Sequence, residues 1–293
     1  MNRRTFLASL LAAPAPLMLG GISLLSNETK KTPLATGIQF GFRDLDSMGF
    51  ALRPGNLTVI ASRPSMGKTA FAVNLALNTS IGLGVKTAFV SLEMSKESLV
   101  TRFLSYSAKV SIANLKKGKF SVSEMDRLIE SSEQIAKAPI YIIDDVSLSP
   151  QGLAKLVSPV KPDLLIIDYF QLLREDQVTE NSAAALNQLS IDLKALARTC
   201  NVPVVALSQL DRKLERRKNK RPILADLKHL GGLEREADQV AFLYRDGYYT
   251  PQSSAYQTAE IIVAKNRLGQ CGPVPMGWSP IDGFSDYDFR KIS

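Results

Sequence analysis

Lys68 and Thr69 follow Gly67 in "SRPSMGKTAF" (residues 62–71), and here residue type and spacing imply chemistry most directly. An ammonium and a hydroxyl placed where a tight loop opens a helix can grip the phosphates of a nucleoside triphosphate. The loop and helix N–H groups point at the anion, Lys68 adds a full charge, and Thr69 faces the Mg2+ that such a ligand carries. The candidate nucleotide-binding set is Ser62, Arg63, Pro64, Ser65, Met66, Gly67, Lys68, Thr69 and Ala70. The usual pattern is G-x-x-x-x-G-K-S/T, and Ser62 stands where its first glycine would be. That weakens the match, since glycine tolerates backbone angles that serine does not. The plain alternative is a chance Gly-Lys-Thr at an ordinary helix start.

The flanking elements weigh against chance. "NLTVI" (56–60) is β-branched and apolar and reads as a buried strand, while "TAFAVNLALNTSI" (69–81) has apolar residues at helical spacing. Further strands are expected at 86–92 ("KTAFVSL"), 140–144, 163–168 ("DLLIID") and 202–207, all apolar enough to be buried on both faces. Helical spacing recurs in "SKESLVTRFLSYSA", "SVSEMDRLIESSEQIAKA" and "AAALNQLSIDLKALARTC". The tail changes character, with strands in "QVAFLYRD" and "EIIVAKNR" and no clear helix between them. The expectation is an α/β domain, mostly parallel, with a β-rich C-terminal end and no internal repeat.

Three polar residues close such strands. Asp168 ends "DLLIID" at a carboxyl edge, where open α/β sheets bind ligands, and can hold Mg2+ through water. Glu93 closes the preceding strand in the same manner and is placed to take a proton from an attacking water; an acid at a helix N-terminus is its plainer reading. Gln209, after "VPVVAL", is either a γ-phosphate hydrogen-bonder or a polar strand end.

Composition narrows the classes. The chain has 293 residues, 45% of them hydrophobic, enough for one large domain or two small ones. A net charge of +8 favours a polyanionic partner. One histidine makes a histidine zinc site or a catalytic triad unexpected, and the two cysteines, Cys200 and Cys271, have no metal-site spacing and read as reduced, partly buried thiols.

Taken together in order and spacing, "ASRPSMGKTAF", "SLEMS", "IIDYFQLL", "LKALA", "NVPVVALSQL" and "KNRLGQCG" resemble the DnaB-type replicative helicases, in their RecA-like P-loop motor domain. "TGIQFGFRDLDSM" resembles that domain's entry, and the match runs from about residue 36 to near the C-terminus. The resemblance implies an ATP-dependent DNA helicase motor that translocates on single-stranded DNA, with ATP and Mg2+ at subunit interfaces. Lys68 and Thr69 would bind phosphate and Mg2+, Asp168 would be the Mg2+ carboxylate, Glu93 the catalytic base and Gln209 the γ-phosphate sensor. Lys265 and Arg267 match the basic pair that the family sends into a neighbouring subunit's site, Arg267 as the arginine finger. Without the resemblance they read as two cations on an exposed strand. A homo-hexamer is implied, with primase or a helicase loader as partners and no stable membrane association. "DLKHLGGLEREAD" (226–238) resembles the loop facing the central channel. Lys228, His229 and the backbone at Gly231 and Gly232 are its DNA-contact candidates, although the family commonly has an acid at position 229. The basic stretches "RKLERRKNKR" (212–221) and "LKKGK" (115–119) read as loops that touch DNA or simply as solvated charge.

Two features depart from the family. Its helical N-terminal domain has no counterpart in the sequence, and "SPQGLAKLVSPVKPD" looks shorter and less basic than usual. Residues 1–35 form instead an apolar segment and linker before the motor domain at 36–293. That segment, "MNRRTFLASLLAAPAPLMLGGISLL", resembles a bacterial twin-arginine export signal. Nucleotide-driven work on DNA needs cytoplasmic ATP, so the expected location is cytoplasmic and the signal a coincidental likeness, a misplaced start or a replaced N-terminal segment, with real export as the rival reading. Two rival readings stand beside the helicase. One is a RecA- or RadA-like DNA-stimulated ATPase without unwinding, against which Met94 in "SLEMS" speaks. The other is a truncated, non-catalytic copy that binds nucleotide and DNA.

Overall fold

The computed structural model describes residues 37–144, 148–173, 183–250, 252 and 256–288. The export-signal-like segment and most of the linker lie outside these. The described residues are organised by a nine-stranded sheet. Its strands are β1 (Leu57–Ser62), β2 (Thr87–Ser91), β3 (Ile140–Ile143), β4 (Leu164–Asp168), β5 (Val204–Gln209), β6 (Gln239–Tyr244), β7 (Thr258–Asn266), β8 (Gly272–Ser279) and β9 (Gly283–Asp286). In space they run β3-β2-β4-β5-β1-β6-β7-β8-β9. Pairing is parallel from β3 to β6 and antiparallel from β6 to β9.

The sequence explains both halves. β1, β2, β4, β5 and β6 are apolar runs buried almost throughout, so both faces need covering. One face is covered by α1 (Arg43–Ser47), α2 (Lys68–Leu77), α3 (Lys96–Ala108) and the aromatic entry segment, with Phe71 between Phe40, Phe42 and Phe284. The other takes α6 (Pro150–Val157) and α7 (Ala183–Cys200). The small helix α4 (Ile112–Lys117) and α5 (Val122–Lys137) join α3 around a separate core of Leu104, Val110, Leu115 and Phe120. By contrast β7 alternates buried and half-buried residues, as a strand with one face toward solvent does. Serines start the helices: Ser95, Ser111, Ser121 and Ser149 each accept a backbone N–H, and Ser121 forms a capping box with Glu124.

Several expected bounds shift. β1 and β5 each run on to Ser62 and Gln209, two residues past the apolar stretch, because Leu57–Ser62 pairs with Val204–Gln209 along its whole length. "LKKGK" is no simple loop: Lys116 and Lys117 close α4, where cations suit the helix dipole, and Gly118 caps it at φ 63°. A short α8 (Leu233–Glu236) precedes β6, and α9 (Asp246–Tyr249), too short to show a period, follows it. No helix among the described residues is long and apolar enough to cross a membrane.

Phe71 is fully buried at the join between α2 and the entry segment. Phe71→Ala is expected to cost about 3–5 kcal/mol of unfolding free energy, measured by urea titration. A loss below about 1 kcal/mol would mean that α2 does not depend on this packing.

Candidate functional site

The carboxyl edge of the parallel sheet gathers most of the predicted residues. β1 stops at Ser62, which lies opposite Gln209, is fully buried and donates its hydroxyl to the Arg63 carbonyl. Ser62 is therefore strand, outside the left-handed region, and serine costs nothing there. Glycine's freedom is needed five residues on. Gly67 sits at φ 102°, and a Cβ on it would stand 2.8 Å from the Trp278 ring. Between them Arg63, Pro64, Ser65 and Met66 make the loop, with Ser65 at φ 64° and Met66 buried. Arg63 donates to Glu215 at 2.8 Å and to the Leu210 carbonyl at 2.7 Å; Arg245 donates to the Ser65 carbonyl and lies 4.0 Å from the Trp278 ring centroid.

Lys68 opens α2 and is almost wholly buried, with buried Ala70 behind it. Burial lowers the pKa of its ammonium, opposed by the negative charges of Asp168 and Glu93. The Thr69 hydroxyl donates to Asp168 Oδ2 at 2.7 Å. Asp168 is 1% exposed, and burial raises its pKa to about 6 against the pull of Thr69, Lys68 and Arg102. Its other oxygen, Oδ1, is buried with no hydrogen-bond partner among the described residues. A carboxylate with one oxygen uncommitted beside a threonine hydroxyl and a lysine fits a Mg2+ brought in on a triphosphate.

Glu93 stands exposed just past β2, near enough to act electrostatically on Lys68, Asp168 and Tyr169. Gln209 ends β5, its backbone held by Gln171, which donates to the Gln209 carbonyl at 2.8 Å and accepts from its N–H. Sequence reasoning passes over Gln171. It also passes over Arg102 on α3, whose Nε is buried without a hydrogen-bond partner among the described residues and whose charge reaches Asp168. Their only sequence signal is position, one three residues past Asp168 and the other within α3, the helix that follows Glu93.

Lys265 and Arg267 are not brought to this site. β7 runs antiparallel to β6, pairing Asn266 with Gln239, so its end lies at the amino edge of the parallel strands. The six residues of β6 separate the two edges by roughly 20 Å. There Lys265 donates to the Glu234 carbonyl at 2.7 Å, and exposed Arg267 pairs with Asp238 at 3.2 Å. Asp238 is already bound by Lys194 at 2.6 Å.

The channel-loop candidates divide. Lys228 and His229 are exposed on a 3-10 turn, Leu224–Leu230, and His229 borders a pocket of about 330 Å³ that Gln209 and Tyr169 also line. Gly231 and Gly232 have an internal reason to be glycine. A Cβ on Gly231 would meet the Asn187 backbone at 2.3 Å, and one on Gly232 the Asn187 side chain at 2.5 Å.

Comparison with known proteins supplies context. Residues 37–284 match the family model described as the DnaB-like helicase C terminal domain. The replicative DNA helicase DnaB of Geobacillus stearothermophilus is 39% identical over 248 residues, 83% of this chain and 55% of that protein. The chain thus spans a little over half the length of that relative. A DnaB-like replicative helicase, solved for its interactions with primase, is 34% identical with a TM-score of 0.82, over 86% of this chain and 64% of that one. A separately solved ATPase domain gives the same identity and TM-score over 86% of this chain and 92% of that chain.

The buried carboxylate sets a pH dependence. Asp168 has a folded-state pKa of about 6, against 3.8 for a free side chain. Between those values only the folded chain holds the proton, so stability falls as pH rises through that window. Without Mg2+, Asp168→Asn is expected to match the wild type near about pH 4 and to exceed it by on the order of 2–3 kcal/mol above about pH 7. Urea unfolding across pH checks this, and a gap that does not change with pH would contradict it.

Proposed function

The chain belongs to the DnaB-like helicase C-terminal domain family, and from that premise we propose that it is an ATP-driven motor acting on single-stranded DNA, with each nucleotide shared between two copies. The observation that carries this reading is the division of the catalytic set between the two edges of one sheet. Lys68, Thr69, Asp168, Glu93 and Gln209 surround the phosphate loop, while Lys265 and Arg267 face away from it. Their cationic pair can serve a phosphate only in a neighbouring copy.

In this mechanism the triphosphate lies on the α2 N-terminus, its oxygens toward the loop N–H groups and the Lys68 ammonium. Asp168 and Thr69 would hold the Mg2+ that a triphosphate brings, which when bound would neutralise charge on the phosphate oxygens. Gln209 donates to the γ-phosphate. Glu93 accepts a proton from water as that water attacks the γ-phosphorus and the bond to the β-phosphate oxygen breaks. The partner subunit's Arg267 leaves Asp238 and lies on the transferring group, where such a residue contributes on the order of a thousandfold or more. The exposure of Arg267 and its pairing with an aspartate that Lys194 also holds suit that exchange. Lys228 and His229 contact phosphates of the strand, which gives binding without sequence preference. In this reading the motor domain spans residues 36–293, several copies close into a ring, and the work is DNA replication, as the relatives' name has it; a motor that consumes ATP on DNA belongs in the cytoplasm.

Lys68→Ala and Arg267→Ala variants are each expected to lose ATPase activity stimulated by single strands by at least about a hundredfold. Mixed together they should recover part of it, because the Lys68→Ala subunit still offers its Arg267 to the intact loop of the other. Unwinding of a forked duplex by the wild type separates a helicase from a DNA-stimulated ATPase. Full activity of Arg267→Ala alone would refute the shared site.

A further inference from the structure

The basic stretch Arg212 to Arg221 is bound to the body of the domain along its length, and its ion pairs join the two halves of the proposed site. Its first part is a 3-10 turn, Arg212–Arg216, capped by Asp211 and anchored by buried Leu214. Glu215, the only acid in the stretch, holds Arg63 of the phosphate loop at 2.8 Å. Arg63 is itself largely buried, 15% exposed at its side chain, and its second bond, to the Leu210 carbonyl, fixes its direction. Two residues on, Arg217 holds Asp226 Oδ2 at 2.7 Å, and the same oxygen accepts the Ile223 N–H at 2.9 Å. Asp226 thereby caps the turn that carries Lys228 and His229. The stretch ends with Arg221 paired to Glu260 and lying over the Tyr244 ring, and with Lys220 over Tyr249.

We propose that Glu215 is a positioning residue that ties occupancy of the phosphate loop to the DNA-contacting turn. Arg63 directly follows β1 and is braced at both bonds, so even a small change in the set of the loop on gaining or losing the terminal phosphate is passed on through its guanidinium rather than absorbed. Glu215 carries that change into the 212–216 turn, and Arg217 passes it to Asp226. An exposed ion pair would carry little energy; Glu215 is 36% exposed at its side chain, but Arg63 is mostly withdrawn from water and doubly bonded, which holds the pair in one geometry. The sign of the basic charge is thus secondary here: two of the stretch's arginines are committed to internal pairs rather than left for DNA.

The inference rests on the motor reading, and its test separates the two. The full chain is assayed for ATPase with and without a single-stranded oligothymidylate, and the affinity for that oligomer is measured with and without a non-hydrolysable ATP analogue. Glu215→Gln is expected to lower the stimulated-to-basal ratio by at least about fivefold and to make the oligomer affinity insensitive to the analogue. Lys213→Gln, which removes an exposed charge from the same turn, should keep both within about twofold of wild type. Arg217→Gln breaks the second link and should reproduce the loss, which keeps the test decisive if Glu215→Gln fails to fold. An unchanged ratio in Glu215→Gln, or an equal fall in Lys213→Gln, overturns the inference while leaving the motor intact. A wild type that does not respond to the oligomer at all removes the motor reading and this inference with it.

Discussion

A parallel sheet has two edges, and a ligand held at one cannot be touched by side chains fixed at the other. That constraint organises this molecule. Lys68 and Asp168 meet at the carboxyl edge because β1 and β4 both end there, only β5 between them, and α2 packs back across β1, β5 and β4. The change from parallel to antiparallel pairing after β6 sends β7 the other way, so the residues closing it arrive at the amino edge. A single copy therefore carries Lys68 and Asp168 at one edge and, roughly a strand's length away, Lys265 and Arg267 at the other.

The electrostatics of the site are those of a place prepared for something charged. Lys68 and Asp168 are both buried, each bears a desolvation penalty, and Thr69 satisfies only one oxygen of the carboxylate. A folded protein optimised for stability alone would close that gap, since a buried unpartnered polar atom typically costs about 1–3 kcal/mol. The loop around it is braced rather than loose. Trp278 and Phe284 close against Gly67, Arg245 bridges Trp278 and Ser65, and Arg63 is tied down by Glu215. A loop braced in this way would not have to be ordered before an anion binds.

Much of this is legible in the sequence where one local rule suffices. An apolar run ending in Asp168, and a Gly-Lys-Thr between a strand and a helix, declare their places through burial and periodicity alone. Legibility fails where long-range pairing decides. Ser62 looks like a defective loop glycine because its pairing with Gln209, roughly 150 residues on, is invisible locally. At Gly231 and Gly232 the sequence shows backbone that DNA could approach, but not that their missing side chains also make room for Asn187. Arg217 and Arg221 look like free charge, while Asp226 and Glu260 claim them. Gln171 and Arg102 carry no signal beyond their position, and Arg245 none, because each acts through a partner that only folding supplies. The short helices α4 and α6 escape for a different reason: six to eight residues are too few to display a period.

The most direct test of the division between edges is the specific ATPase rate as a function of protein concentration, read alongside the mass of the species present. A site completed by a second copy predicts a rate per chain that rises steeply as assemblies form and then levels off, with Mg2+, the triphosphate and single-stranded DNA favouring the larger mass. A strictly monomeric chain that hydrolyses ATP at one constant rate across that range would contradict it.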